Sequence, residues 1–188
     1  MRIFSIFLLA AAAYGAEYTI DSAHSAASFG VRHMMVSTVR GHFSKVTGKV
    51  TYDPNNLNAS KVEATVDATT IDTREAKRDA HLKSADFFDV AKFPTITFRS
   101  TKWTKEAGKL KIAGDLTIHG VTKPVVLDVD GPAAEVKGQG GAMTIGASAT
   151  TKVSRKDFGL MWNRLLETGG AVVGDEVTIT LDIEAKRN

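Results

Sequence analysis

The sequence predicts an all-β protein: one antiparallel barrel or sandwich of eight or nine short strands. Three observations predict it. Apolar and polar residues alternate with a period of two in segment after segment. Turn-forming clusters separate those segments at short intervals. A single stretch carries a clear helical signature. One apolar and one polar face per strand is the pattern of an antiparallel sheet wetted on one side. Closure into a barrel removes the edges that an open sheet would expose.

The elements follow in order. Residues 18–21 open the run, and in 27–33 the odd positions carry the larger apolar set. Residues 41–52 read as a strand. Val62, Ala64, Val66 and Ala68 alternate with Glu63, Thr65, Asp67 and Thr69. Ile96 and Phe98 alternate with threonines and Arg99. Leu110, Ile112, Gly114, Leu116 and Ile118 form the next face, then Val125, Leu127 and Val129, then Met143, Ile145, Ala147 and Ala149. Val177, Ile179, Leu181, Ile183 and Ala185 close the series. Turns are expected at Asp53-Pro54-Asn55-Asn56, Glu106-Ala107-Gly108, Gly131-Pro132 and Gly138-Gln139-Gly140-Gly141. The exception is residues 74–83, a helix with acids early and bases late, capped by Asp72 or Thr73. Ala76, Ala80, Leu82, Phe87 and Phe88 are its expected contacts with one barrel end. A second short helical piece is expected between Met34 and Val39.

The chain has 188 residues, 43% of them hydrophobic and 24% charged, which fits one globular domain with its own core. The net charge of +3 is spread along the chain, without the basic block that nucleic acid demands. There is no cysteine, which excludes disulfides, thiolate metal sites and a cysteine nucleophile. At the N-terminus Arg2 precedes an uncharged apolar run over residues 3–13, and Ala13-Tyr14-Gly15 and Tyr14-Gly15-Ala16 offer small residues near a possible cut. That is the layout of a secretory signal peptide, and the run is too short to span a bilayer. The expected organisation is a cleaved signal peptide at 1–16 and one domain at 17–188, exported to the periplasm.

Several motifs resemble those of the YceI-like family. They are Tyr18-Thr19-Ile20-Asp21-Ser22-Ala23-His24-Ser25, Val31-Arg32-His33, Gly41-His42-Phe43 and Arg78-Asp79-Ala80-His81-Leu82. Asp86-Phe87-Phe88-Asp89, Phe93-Pro94-Thr95-Ile96-Thr97-Phe98 and the run from Gly114 to Lys123 follow in the same order. Arg155-Lys156-Asp157-Phe158-Gly159 and Val173-Gly174-Asp175-Glu176-Val177 complete it. The resemblance implies an eight-stranded lipocalin-like barrel with one or two short helices at its ends. It also implies an apolar tunnel, a periplasmic setting and a ligand with a polyisoprenoid, isoprenoid quinone or fatty-acid-like tail. No cofactor is expected beyond that lipid.

Candidate ligand-binding residues are Phe29, Val31, His33, Phe98, Leu116, Ile118, Phe158 and Trp162, chosen for inward alternation, position near a barrel mouth or aromatic bulk. Arg155 and Asn163 join them as polar groups suited to a head group. Arg155 has an alternative role, an ion pair with Asp157 or Glu167. Small inward residues such as Ala27, Ala64, Gly114, Ala147 and Ala149 leave open whether the interior is a channel or is filled by facing bulk. The five histidines lack metal-ligand spacing on a helix. Asp21, His24 and Ser25 have the residue types of a hydrolase, but neighbours on a strand point to opposite faces. Other functions in play are a hydrolase or metal-dependent enzyme at the barrel mouth, and a solid-barrel stress or interaction protein. Expected partners are a small amphiphilic lipid, a transient membrane contact and, through an edge at residues 177–185, a second copy of the chain.

Overall fold

The computed structural model describes residues 15–138, 140–164 and 171–188. The apolar leader and the Glu167 alternative for Arg155 lie outside the described residues. Twelve strands are present: β1 Ala16–Ile20, β2 Ala26–His33, β3 Ser37–Phe43, β4 Val46–Tyr52, β5 Lys61–Asp67 and β6 Ile71–Asp72, then β7 Thr95–Glu106, β8 Lys109–Ile118, β9 Val121–Asp130, β10 Val136–Lys137, β11 Met143–Ser154 and β12 Val173–Arg187.

Several of these share one stave of the barrel. β1 and β2 lie end to end along β12, with Ile20 opposite Ala185 and Ala27 opposite Leu181. β4 and β3 flank them in the same way, and β5 and β6 lie beyond. Pairing continues through β7, β8, β9 and β11, and the β11–β12 ladder closes the ring. The result is a closed antiparallel barrel of eight staves, each next to its neighbour in sequence. Closure satisfies both flanks of every long strand. The edge expected at 177–185 is therefore absent, because β12 pairs with β11 on one side and with β1 and β2 on the other.

The helix, α1 Ala76–Lys83, begins two residues later than expected. Arg74 has φ of 64°, a left-handed conformation that no helix can include. Glu75 is the cap, its carboxylate accepting from the backbone N–H of Lys77 and Arg78 at 3.2 and 2.6 Å. Asp72 instead accepts from the Arg74 N–H, while Thr73 is bound by the side chains of Asp79 and Arg78. Ala76 and Ala80 are exposed, so α1 docks through Leu82 and through Phe87 and Phe88 just beyond it. The second helix is also corrected: residues 34–36 form a tight hairpin turn between β2 and β3. Its place at the barrel ends is taken by three short 3₁₀ turns, one of them Arg155–Phe158.

The barrel has two distinct ends. α1, the 34–36 turn and the Arg155–Phe158 turn share one, the helix end. The chain termini, the 107–108 turn and the 131–135 loop share the other. There Tyr18 Oη donates to Glu135, which also pairs with Arg187. Burial and the Glu135 carboxylate both push the Tyr18 phenol up from its ordinary value.

Candidate functional site

Alternation places one face of each strand inside the ring. The inward set is Ala27, Phe29 and Val31 on β2, Val62, Ala64 and Val66 on β5, and Leu110, Ile112, Leu116 and Ile118 on β8. Val125, Leu127 and Val129 on β9 join them, as do Ile145, Ala147 and Ala149 on β11 and alternate residues of β12. On β7 the parity changes. Ile96 and Phe98 point inward, a bulge lies between Ser100 and Lys102, and Trp103 is the next inward residue. The cavity inside the ring has a volume of about 260 Å³. Lining residues on β12 run from Val173 to Ala185. Between Val173 and Val177 four steps on β12 face two on β2, so the stave rises by about ten regular steps; at 3.3 Å per residue and a tilt near 40° it lines a lumen of about 25 Å.

The lining is apolar almost throughout. Among the described residues, Ser28, Thr97, Thr151, the Trp103 indole and Arg155 are its only members with a polar side-chain atom. Trp103 is buried against Leu110, Ile112, Leu127 and Ala149, and its indole N–H has no hydrogen-bond partner among the described residues. Phe87, Leu116, Ile118, Phe158 and Leu160 pack together at the helix end and cap the lumen there.

Not every small residue opens the channel. A Cβ on Gly114 would lie 2.4 Å from the Phe98 ring, and one on Gly41 2.5 Å from the Phe29 ring. These two glycines are the floors on which the rings lie. Space remains beside Ala27, Ala64, Ala147 and Ala149, which all line the cavity.

Of the ten candidate residues, Phe29, Val31, Phe98, Leu116, Ile118, Phe158 and Arg155 line the cavity. His33, Trp162 and Asn163 do not. His33 ends β2 opposite Ser37 and Val173. Trp162 packs edge-on with His81 and tilted against Phe87, ring centroids 4.9 and 5.2 Å apart. Asn163 latches the strand start: its Nδ2 donates to the Val173 carbonyl at 2.8 Å and its Oδ1 accepts from the Val173 N–H at 3.1 Å.

Arg155 is only 5% exposed and its donors are committed. Nε reaches the Gly174 carbonyl at 2.9 Å, and Nη1 serves the carbonyls of Leu160 and Trp162. Nη2 contacts the Val173 carbonyl and Asp175 at 3.4 and 3.2 Å. Burial pulls its pKa down and Asp175 opposes the shift. This arginine clamps the chain at the helix end and keeps no donor for a head group. Its acidic partner is Asp175 rather than Asp157. Residues missed by sequence reasoning include Trp103 and Phe43; the odd position of Trp103 after even Ile96 and Phe98 was the available sign of the bulge.

The Asp21, His24 and Ser25 set does not assemble as a triad. His24 Nδ1 lies 2.7 Å from Asp21 Oδ2, but Ser25 Oγ donates to the Glu184 carbonyl and accepts the Glu184 N–H. Asp21, His24 and Glu184 bring ligand-type atoms within 4.8 Å of one another. Lys186 Nζ already sits 2.6 Å from Asp21 Oδ2, so a metal cation there would meet an ammonium. His33 is nine residues further along extended chain, about 30 Å away.

The sequence profile of the YceI-like domain matches residues 18–185. The chain belongs to the YceI-like family. A UPF0312 protein of Vibrio cholerae is 42% identical over 156 residues, covering 79% of this chain and 80% of its own. Among solved structures, BcnA of Burkholderia cenocepacia superposes with a TM-score of 0.71 at 25% identity, covering 88% of this chain and 98% of that one. A polyisoprenoid-binding domain from Saccharophagus degradans superposes at 0.66 over 91% of this chain and 98% of its own; at 13% identity it shares the fold. The barrel fold is thus common to this chain, BcnA and the Saccharophagus degradans domain.

Proposed function

We propose that this YceI-like protein binds a long-chain amphiphilic lipid, with a polyisoprenoid, isoprenoid quinone or fatty-acid-like tail held in the barrel, and that it carries or stores that lipid in the periplasm without changing it covalently. The observation that carries the reading is the apolar lining, continuous along β12 from Val177 to Ala185, around a cavity that side chains do not fill. An interior with so few polar atoms offers nothing to a sugar or a nucleotide, whose hydroxyls and phosphates would go unpaired. It suits a hydrocarbon chain, which loses water along its whole length. The Saccharophagus degradans domain, similar in fold, supports a polyisoprenoid as the tail class. The apolar leader at residues 3–13 supports export.

The test is mass spectrometry of an organic extract from protein purified without detergent from its native compartment. A stoichiometric species with a long apolar tail is expected. A lipid-free extract, together with no uptake of isoprenoid or acyl chains by the purified protein, would overturn the reading.

A further inference from the structure

The outer surface at the helix end combines two features that the lumen does not explain. The first is the β2–β3 turn. Met34 and Met35 occupy its two central positions with φ of 50° and 62°, and the Val36 N–H closes it onto the His33 carbonyl at 3.1 Å. Turns of this hand favour Asn-Gly, because both central residues need positive φ. Methionines are strained there, and such strain concentrates at functional positions. The turn also holds three consecutive apolar side chains in water: Met35 is 63% exposed and Val36 78%. Met161, on the same end, is 60% exposed.

The second feature is a groove of about 810 Å³ beside the turn, on the outward faces of β2, β3 and β12. Met35, Arg32, Arg40 and Arg74 line it. Among the described residues none of these arginines forms an ion pair. Asp175 and Glu176 in the same groove are held by Lys156 and Lys152 at 2.8 and 2.9 Å. Asp72 remains, its carboxylate turned to the Arg74 N–H. Among the described residues, three guanidiniums thus share the groove with one carboxylate that no side chain neutralises. Arg32 also donates to the Met35 carbonyl at 2.6 Å, which ties the charge to the tip.

We propose that this end of the barrel is a membrane-docking face, in which the 34–36 tip enters the headgroup layer of an anionic bilayer and the Arg32, Arg40 and Arg74 groove receives lipid phosphates. An acidic protein or free phosphate would satisfy the arginines and leave the tip in water. A bilayer surface takes up both, since apolar burial and anionic attraction act there together. The apolar lumen ends at the same face, behind Phe87, Phe158 and Leu160. That this contact serves lipid exchange rests on the lipid-binding reading; the docking itself does not.

The experiment is flotation of the exported protein, freed of the apolar leader at residues 3–13, with vesicles of phosphatidylcholine alone or mixed with phosphatidylglycerol. The protein floats with the mixed vesicles, less at high salt, and not with phosphatidylcholine alone. Met34→Asn with Met35→Gly relieves the turn strain, so it raises the melting temperature while cutting flotation at least fivefold. These opposite signs separate lost docking from lost folding. Arg40→Gln with Arg74→Gln also cuts flotation at least fivefold, and inorganic phosphate at millimolar concentration does not compete. Absence of flotation by the parent, or flotation that neither variant reduces, would overturn the proposal. Tail affinity measured in vesicle-free solution reports separately on the lipid-binding reading.

Discussion

Arg155 brings a permanent charge into an apolar wall, and its worth lies in what it holds. Its guanidinium gathers the carbonyls of Leu160, Trp162, Val173 and Gly174, which belong to chain entering and leaving the 165–170 segment. Removing it strands those acceptors and the Asp175 charge. Arg155→Ala is therefore expected to cost about 3–5 kcal/mol in denaturant unfolding. Arg155→Lys recovers only part, because an ammonium cannot span the same fan of acceptors. A loss below 1 kcal/mol for Arg155→Ala would contradict the clamp. The Asp21–His24–Lys186 set predicts a pH signature. The hydrogen bond to Asp21, then the Asp21 and Glu184 charges, raises the His24 pKa above its ordinary 6.5. A raised pKa favours the fold fully below the unfolded value, and that stabilisation is lost as pH rises through the folded value. Asp21 is lowered far below 3.8 by Lys186 and then His24, so its contribution is present above 3.8 and lost only as pH falls through the lower folded value. NMR titration of the His24 ring should give a midpoint above 6.5 that Asp21→Asn moves back; a midpoint indifferent to that change would refute the coupling.

Strand identity and parity were legible because one wet and one dry face impose a period of two, which nearly every stave obeys. What alternation does not record is where a stave breaks. Residues 41–52 read as one strand, yet Ser44 and Lys45 interrupt it so that β3 and β4 can follow different partners. The 34–36 turn leaves no mark in the sequence because its two central residues lack the Asn or Gly typical of such turns. The helix start is hidden as well, because a left-handed Arg74 gives no sign in composition. Close packing between strands is equally silent in sequence. Phe29 lies over Gly41 on β3, and a Cβ there would also meet the Thr73 methyl at 2.7 Å. Gly41→Ala is expected to cost about 1–3 kcal/mol. Because the obstacle is side chain rather than backbone, Phe29→Leu should lower that penalty, giving a coupling energy of about 1 kcal/mol in a double-mutant cycle. Strict additivity would show that the ring and the glycine are independent.

At the scale of the barrel, sequence could name the inward residues but not whether they met across the lumen, since that depends on circumference and stagger. The structure answers with a cavity beside the alanines, and two substitutions turn that answer into a test. Ala147 lines the cavity on β11, so Ala147→Phe places a ring in space now empty and should leave stability within about 1 kcal/mol while blocking the lumen. Ile118 is buried against Phe87 and Phe158, and Ile118→Asp puts an unpaired carboxylate in that cluster, costing several kcal/mol of stability as well as binding. Tail length then reads the lumen directly. Each methylene that leaves water contributes about 0.8 kcal/mol, so affinity should rise about fourfold per carbon. Association and ordering of the chain oppose it by about 4–15 kcal/mol, which leaves tails of a few carbons unbound and tails beyond about a dozen well bound. The rise stops when the lumen of about 25 Å is full. Calorimetry over a homologous series should show that slope and plateau in the parent, with the plateau reached at shorter tails in Ala147→Phe. An affinity independent of tail length, or one that Ala147→Phe leaves unchanged across the series, would place the ligand outside the barrel.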